Sequence, residues 1–141
     1  MSAQEPGRRW PPLLAVLAVA AGGALGGSLR HALLTAFPAD PAAFPWLIFV
    51  HNTVGAGLLG LVLTLLPLPG SGRSWLRPFL TTGMLGAFTT FSNFSLDVVT
   101  LSGQGQVGWA LLYSAASIGT GLAACGVGIL LGRGWARCRA P

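Results

Sequence analysis

Four long stretches with almost no charged residues limit what this chain can fold into. They cover residues 13–34, 46–66, 79–101 and 107–131. A helix needs about 20 mostly apolar residues to cross a bilayer, and each stretch meets that length. The segments between them are rich in proline and glycine, which interrupt helices. Since only 8% of the residues are charged and 52% are hydrophobic, a soluble fold is excluded. We predict an all-α integral membrane protein with four transmembrane helices.

The positive charges predict how these spans are oriented. The chain has eight arginines and no lysine, and seven of the arginines lie outside the spans. With four spans, all seven fall on one side of the membrane: Arg8, Arg9, Arg73, Arg77, Arg133, Arg137 and Arg139. Arginine and lysine accumulate on the cytoplasmic side. We therefore expect a multi-pass plasma-membrane protein with both termini in the cytoplasm, and we interpret the basic charge as a topology signal rather than as a nucleic-acid site.

This topology divides the chain into three parts. Residues 1–11 form a predicted cytoplasmic tail, residues 12–132 a four-helix membrane domain, and residues 133–141 a basic cytoplasmic tail. The first span follows two arginines, as a signal peptide would, but three further spans follow it, which favours a membrane helix. Glycines recur at GxxxG-like spacing at 22–27, 55–60 and 119–128. We interpret most of them as sites of close helix packing.

The segment 83–97, GMLGAFTTFSNFSLD, is the most unusual part of the third span. Its glycine, threonine and serine residues weaken a helix, and irregular backbone is tolerated inside a membrane only where protein buries it or it lines a cavity. We predict that the third helix is broken near residues 86–90. Freed carbonyls at such a break can bind a cation. Phe91 and Phe94 share one helix face, and the electropositive edges of their rings can favour a small anion.

Other polar side chains in the spans allow two interpretations each. Asn52 either bonds a neighbouring helix or lines an aqueous path. Arg30 either reaches the headgroups or faces inward toward an anion or a carbonyl. Tyr113, Ser117 and Thr120 lie on one face of the fourth span. Their hydroxyls either line a path or bond carbonyls of their own helix.

Taken together, these motifs resemble the CrcB/Fluc family of fluoride channels. GMLGAFTTFSNFSLD is similar to the third-span motif GxxGGxTTFSTFSxE, GGALGGSLRH to the first-span GGxxGAxxRY, and NTVGAGLLG to the second-span NxxGxxxxG. The resemblance covers residues 20–131, and the TTFSxF core with an upstream arginine and asparagine is highly specific.

The resemblance implies a passive channel that exports fluoride from the cytoplasm and lowers its toxicity. It implies two pores in an antiparallel dimer, each lined by residues at the matching positions: Asn52, Phe91, Phe94, Ser92, Asn93, Tyr113, Ser117 and Arg30. It also implies a structural Na⁺ ion at the dimer interface, bound through the backbone carbonyls of Gly86 and Thr89.

The chain departs from the family pattern at four positions. His31 replaces a tyrosine, Ile48 a threonine, Asn93 a threonine and Asp97 a glutamate. None of these changes removes a core element of the motifs, and the change at Ile48 affects one polar contact that the resemblance implies. Neither His31 nor His51 is assigned a role.

The charge distribution bears on the partner subunit. An antiparallel homodimer needs a chain that inserts in both directions, which requires balanced positive charge. Here the seven exterior arginines favour one direction. We therefore expect a heterodimer with a homologous, inverted subunit, with a homodimer as the alternative.

Two other functions are open to a small four-span protein. A multidrug or cation exporter coupled to protons needs an intramembrane carboxylate, and Asp97 is the one candidate. A non-transporting assembly subunit would need only the glycine motifs. An enzyme is not expected, because the sequence has no nucleophile with a base, no metal-ligand cluster and no phosphate loop.

Overall fold

The structure is a computed structural model, and it describes residues 12–38, 40, 43–66 and 75–138. This part of the chain is helical throughout, with no strand. The predicted tail 1–11 and residues 139–141 lie outside the described residues, as does most of the second connection.

The first two helices occupy the predicted first and second spans. Helix α1 is Pro12–Ala36 and helix α2 is Trp46–Leu65. Pro38 follows α1 closely and Pro45 immediately precedes α2, so the chain is prevented from continuing one helix into the next. Both helices are long and apolar enough to cross a membrane.

The third span is divided into two shorter helices. Leu76–Pro78, the π-helical Phe79–Leu85 and Gly86–Phe88 follow one another directly, and we call this run α3. Helix α4 is Phe91–Gly103. Thr89 and Thr90, between α3 and α4, have extended backbones. The interruption predicted near residues 86–90 is present.

Helix α5, Val107–Cys138, is the longest and forms the third candidate membrane span among the described residues. It begins after a short turn in which Gly105 has φ 76°, a left-handed conformation that glycine adopts without strain. The predicted third connection therefore lies where the sequence placed it. The predicted fourth span, 107–131, lies wholly within α5.

Four of the five helices form two pairs, and glycines bring the backbones of each pair together. Helix α2 packs along α5, and α1 packs along α3. Gly60 lies against the backbone of Cys125, and Gly128 against that of Gly57. No side chain would fit at these contacts, which agrees with the packing interpretation of the glycine motifs. By contrast, five predicted packing glycines have open space beside them in this chain: Gly23, Gly27, Gly119, Gly121 and Gly126.

The best-buried hydrophobic cluster lies where α4 meets the beginning of α5. Leu101, Ala110 and Tyr113 are its buried members. Phe44 and Phe94 pack against it from two sides. This cluster fixes α4 beside α5, and it positions the residues after the interruption.

Candidate functional site

The interruption between α3 and α4 is held by one side chain of α2. The Thr90 backbone N–H donates to Asn52 Oδ1 at 2.9 Å, and Asn52 Nδ2 donates to the Thr90 carbonyl at 2.9 Å. Asn52 thus replaces the backbone acceptor that the Thr90 N–H loses where α3 ends, and it adds a second donor to the Thr90 carbonyl, which lies at the N-cap of α4. Because Thr90 is only 4% exposed, leaving those groups unpaired would be unfavourable. Of the two interpretations of Asn52, the contact with a neighbouring segment is therefore present.

Thr90 also starts helix α4. Its hydroxyl accepts from the Asn93 backbone N–H at 3.2 Å and donates to Asn93 Oδ1 at 2.8 Å. Ser92 Oγ lies 3.1 Å from the same hydroxyl. Thr90 is not among the residues predicted for the site. Its signal is a threonine three residues before a polar amide, the spacing of a helix-capping pair.

These two sets of bonds leave particular carbonyls without their helical donors. In an α-helix the carbonyl of residue i accepts from the N–H of residue i+4. The donor for Gly86 would be Thr90 N–H, which bonds Asn52 instead. The donor for Thr89 would be Asn93 N–H, which bonds the Thr90 hydroxyl instead. Gly86 and Thr89 are the two residues whose carbonyls the resemblance assigns to a cation.

A groove of about 290 Å³ opens beside the interruption. Its lining joins five predicted site residues with Thr90 and Ile118; the five are Asn52, Thr89, Phe91, Phe94 and Ser117. The Phe91 and Phe94 rings lie 5.6 Å apart between centroids, at 36°. Phe94 is half-buried, whereas Phe91 is 79% exposed. Within this chain, therefore, Phe91 has one open side.

The three hydroxyl side chains predicted to share one face of α5 make different contacts. Tyr113 is fully buried, and its hydroxyl donates to Asp97 Oδ2 at 3.1 Å. Its ring centroid lies 5.2 Å from that of Phe94. Thr120 donates to the Ala116 carbonyl, as the alternative interpretation of this face predicted. Ser117 Oγ is buried without a hydrogen-bond partner among the described residues and lies beside the groove.

Arg30 and His51 lie away from this groove. Arg30 is half-buried on α1 and does not line the groove. His51 is 4% exposed, and its ring lies 3.9 Å from that of Phe88 between centroids. Neither ring nitrogen of His51 has a hydrogen-bond partner in the described part of the chain. The structure brings the other predicted residues together around the break but not Arg30.

Comparisons with known proteins show which family the chain belongs to. A family model described as "CrcB-like protein, Camphor Resistance (CrcB)" matches residues 17–129. A Nocardia farcinica protein named "Fluoride-specific ion channel FluC 2" is 42% identical over 92% of this chain and 91% of its own length. Two proteins named "Fluoride-specific ion channel FluC" are each 44% identical. The one from Cereibacter sphaeroides is matched over 85% of this chain and 95% of its own length, and the one from Novosphingobium aromaticivorans over 82% and 94%. The chain therefore belongs to the CrcB family.

Proposed function

We propose that this protein is a fluoride-specific, passive ion channel that exports fluoride from the cytoplasm. The observation that carries the proposal is the Asn52–Thr90 pair, which holds a helix interruption open beside a groove lined by Phe91, Phe94 and Ser117. The names of relatives at 42–44% identity support the choice of ion.

The groove offers what a small, strongly hydrated anion needs. A selective pore replaces the hydration shell of an ion with groups of its own. The Asn52 amide has two N–H donors, and one of them is used by the Thr90 carbonyl. The second N–H and the unpartnered Ser117 hydroxyl are available as donors. The edges of the phenylalanine rings add weaker positive potential, so the ion is attracted without being trapped.

The same proposal gives roles to the remaining predicted pore residues. The Tyr113 hydroxyl continues the row of polar groups beyond Phe94, and Asp97 fixes its orientation. Ser92 and Asn93 keep the first turn of α4 in place through Thr90. Arg30 contributes positive potential to the path from outside the groove.

A sodium ion is the proposed structural cofactor. Na⁺ is a hard cation that prefers oxygen ligands, and the carbonyls of Gly86 and Thr89 are among those that lose their helical donors at the end of α3. Carbonyl oxygens without a hydrogen-bond donor are suitable ligands for such an ion. Its positive charge would lower the free energy of bringing an anion close to the middle of the membrane.

The proposed assembly is an antiparallel dimer of four-span subunits. Helices α3 and α4 together form the third span, with the break near its middle. Phe91 and Gly86 are exposed in the single chain, and a second subunit over this face would cover both. Because the exterior arginines favour one orientation, with both termini in the cytoplasm, we propose that the partner is a homologous chain inserted in the opposite direction.

The proton-coupled exporter is less well supported. Such a carrier needs a carboxylate that exchanges protons with its substrate. Asp97 is instead hydrogen-bonded to the buried Tyr113 hydroxyl. No described group of three or more metal-ligating side chains suggests a metal-dependent activity.

Fluoride efflux from liposomes, followed with a fluoride electrode, tests the function. The protein is reconstituted alone and together with a candidate partner chain. Electrogenic efflux that does not change with a proton gradient is expected, and efflux that stops when the proton gradient collapses would instead support an exporter. Active antiparallel dimers formed by this chain alone would contradict the heterodimer while leaving the channel intact.

Phe94→Ile is the variant that tests the ring-edge contribution. Isoleucine keeps an apolar side chain but has no ring edge. We expect fluoride efflux to fall about ten-fold or more while the dimer remains folded in gel filtration. Leu96→Ile, at an exposed position of the same helix, is the control. Unchanged efflux in Phe94→Ile would exclude a role for the rings.

A further inference from the structure

The carboxyl-terminal end of α5 continues beyond the helix that it packs against. Gly132 contacts Thr64, one residue before the end of α2 at Leu65. The helix nevertheless continues through Cys138, and residues 133–138 are all exposed. Because α2 ends at Leu65, no residue of α2 lies beside this six-residue end of α5.

Two arginines share one face of this extension. Arg133 and Arg137 are four residues apart, so they lie on the same side of the helix, one turn from each other. Gly128 and Gly132 mark the side that contacts α2. At about 100° per residue, the two arginines are turned away from that side. On the same face of α5, one turn before Arg133, lies the apolar side chain of Leu130, which is 67% exposed.

The length of α5 places these arginines at the edge of the bilayer. Its 32 residues extend about 48 Å, whereas the hydrocarbon core is about 30 Å thick. Helix α2, with 20 residues, is long enough for that core alone. The part of α5 beyond α2 therefore reaches the headgroup layer. Trp135, between the two arginines and exposed, is a residue type that favours this layer.

No described carboxylate neutralises the two guanidinium groups. The acids in the described residues are Asp40 and Asp97. Asp40 precedes the start of α2, and Asp97 bonds Tyr113 near the start of α5, so both lie at the opposite end of the helix pair. Neither Arg133 nor Arg137 makes an ion pair or hydrogen bond within the described part of the chain.

We propose that Arg133 and Arg137 bind the phosphate of an anionic glycerophospholipid in the leaflet at this end of α5. The planar guanidinium group donates two parallel hydrogen bonds to a phosphate. The acyl chains of the same lipid would then lie along the exposed face of α5 that contains Leu130, on the side of the arginines toward the membrane centre. This site requires only that the protein is embedded in a membrane, and it is independent of fluoride conduction.

Native mass spectrometry of the full chain, released from bilayers of equal phosphatidylglycerol and phosphatidylcholine, tests the site. The wild type is expected to retain phosphatidylglycerol in preference to phosphatidylcholine. Arg133→Gln with Arg137→Gln should reduce this preference by about 25-fold, since each of the two basic residues contributes roughly a factor of five. The matched Arg133→Lys and Arg137→Lys double variant keeps the charge and should retain most of the preference.

Three outcomes would overturn the proposal. The first is a wild-type lipid composition equal to that of the bilayer. The second is a glutamine double variant with undiminished preference. The third is displacement of the bound lipid by excess inorganic phosphate, which would indicate a free-phosphate site. If the glutamine double variant does not insert, Arg137→Gln alone provides the same comparison. Fluoride efflux measured in parallel separates loss of this site from loss of the channel.

Discussion

Asn52 is the residue on which the geometry of the interruption depends. It bonds both the N–H and the carbonyl of Thr90, which is 38 residues away along the chain. The hydrogen bonds of Thr90 to Asn93 then start α4 in its observed direction. A side chain of α2 and a hydroxyl of the break thus act together, and each satisfies a group that would otherwise be unpaired.

Asn52→Asp should abolish fluoride efflux. The carboxylate cannot donate to the Thr90 carbonyl, and its negative charge would lie beside the path of an anion. Efflux of purified variant from liposomes measures this. Thr53→Ser, which changes the adjacent residue but keeps its hydroxyl, is the control. Efflux within about two-fold of the wild-type rate would show that no anion passes near this side chain.

His51 is buried, and neither of its ring nitrogens makes a hydrogen bond of good geometry within the described residues. An unpaired buried polar group destabilises a protein by about 1–3 kcal/mol. His51→Leu should therefore raise the thermal midpoint of the detergent-solubilised protein and leave efflux unchanged, since His51 does not line the groove.

His31→Leu is the matched control for this variant. His31 is exposed on α1, so the thermal midpoint should not change. A lower midpoint for His51→Leu than for the wild type would mean that the imidazole has a partner that stabilises the fold.

At the scale of the helices, α3 owes its position to close contact with α1. Gly22 and Gly26 meet the backbones of Phe79 and Met84, so the π-helical segment rests directly on α1. A π-helix has weaker geometry than an α-helix and is often found near functional sites. Here it immediately precedes Gly86–Phe88 and the interruption. The packing of α1 therefore influences where the broken helix ends.

Gly26→Ala tests this contact. A Cβ atom at Gly26 would overlap the Met84 backbone, whereas a Cβ at Gly27 meets nothing within 4 Å in this chain. We expect Gly26→Ala to destabilise the protein by about 1–3 kcal/mol and to reduce efflux. Gly27→Ala is the control and should have little effect on stability. Thermal unfolding followed by circular dichroism measures the midpoints of both variants. Equal midpoints would contradict a close contact between Gly26 and the Met84 backbone.

At the scale of the whole molecule, the positions of the arginines bear on how the chain is oriented in the membrane. The seven exterior arginines all lie on the same side if α3 and α4 together cross the membrane as one span. We expect a chain with this bias to insert in one direction, so the proposed antiparallel assembly would need a second, inverted chain. The orientation of this chain is therefore the first quantity to measure.

Cys138 provides that measurement. It is exposed at the end of α5, whereas Cys125 is half-buried within the helix. With Cys125 replaced by alanine, a membrane-impermeant maleimide should label Cys138 in inside-out vesicles and not in intact cells. Similar labelling in both preparations would show dual orientation and would make a homodimer the better proposal.

The sequence by itself determined the membrane-spanning stretches, the broken third span and the family. Hydropathy, proline positions and a run of glycine, threonine and serine are local properties. Each affects the backbone of the segment in which it occurs, so it can be recognised without knowledge of the tertiary contacts. The bounds of α1, α2 and α5 accordingly include or closely match the predicted spans.

The tertiary structure alone decided which groups meet at the break. The pairing of Asn52 with Thr90, the contact of Tyr113 with Asp97 and the burial of His51 against Phe88 join residues on different helices. The π-helix at Phe79–Leu85, which packs against α1, is not among the features predicted from the sequence of the third span. Such contacts follow from how helices pack against each other, and one-dimensional periodicity does not contain that information.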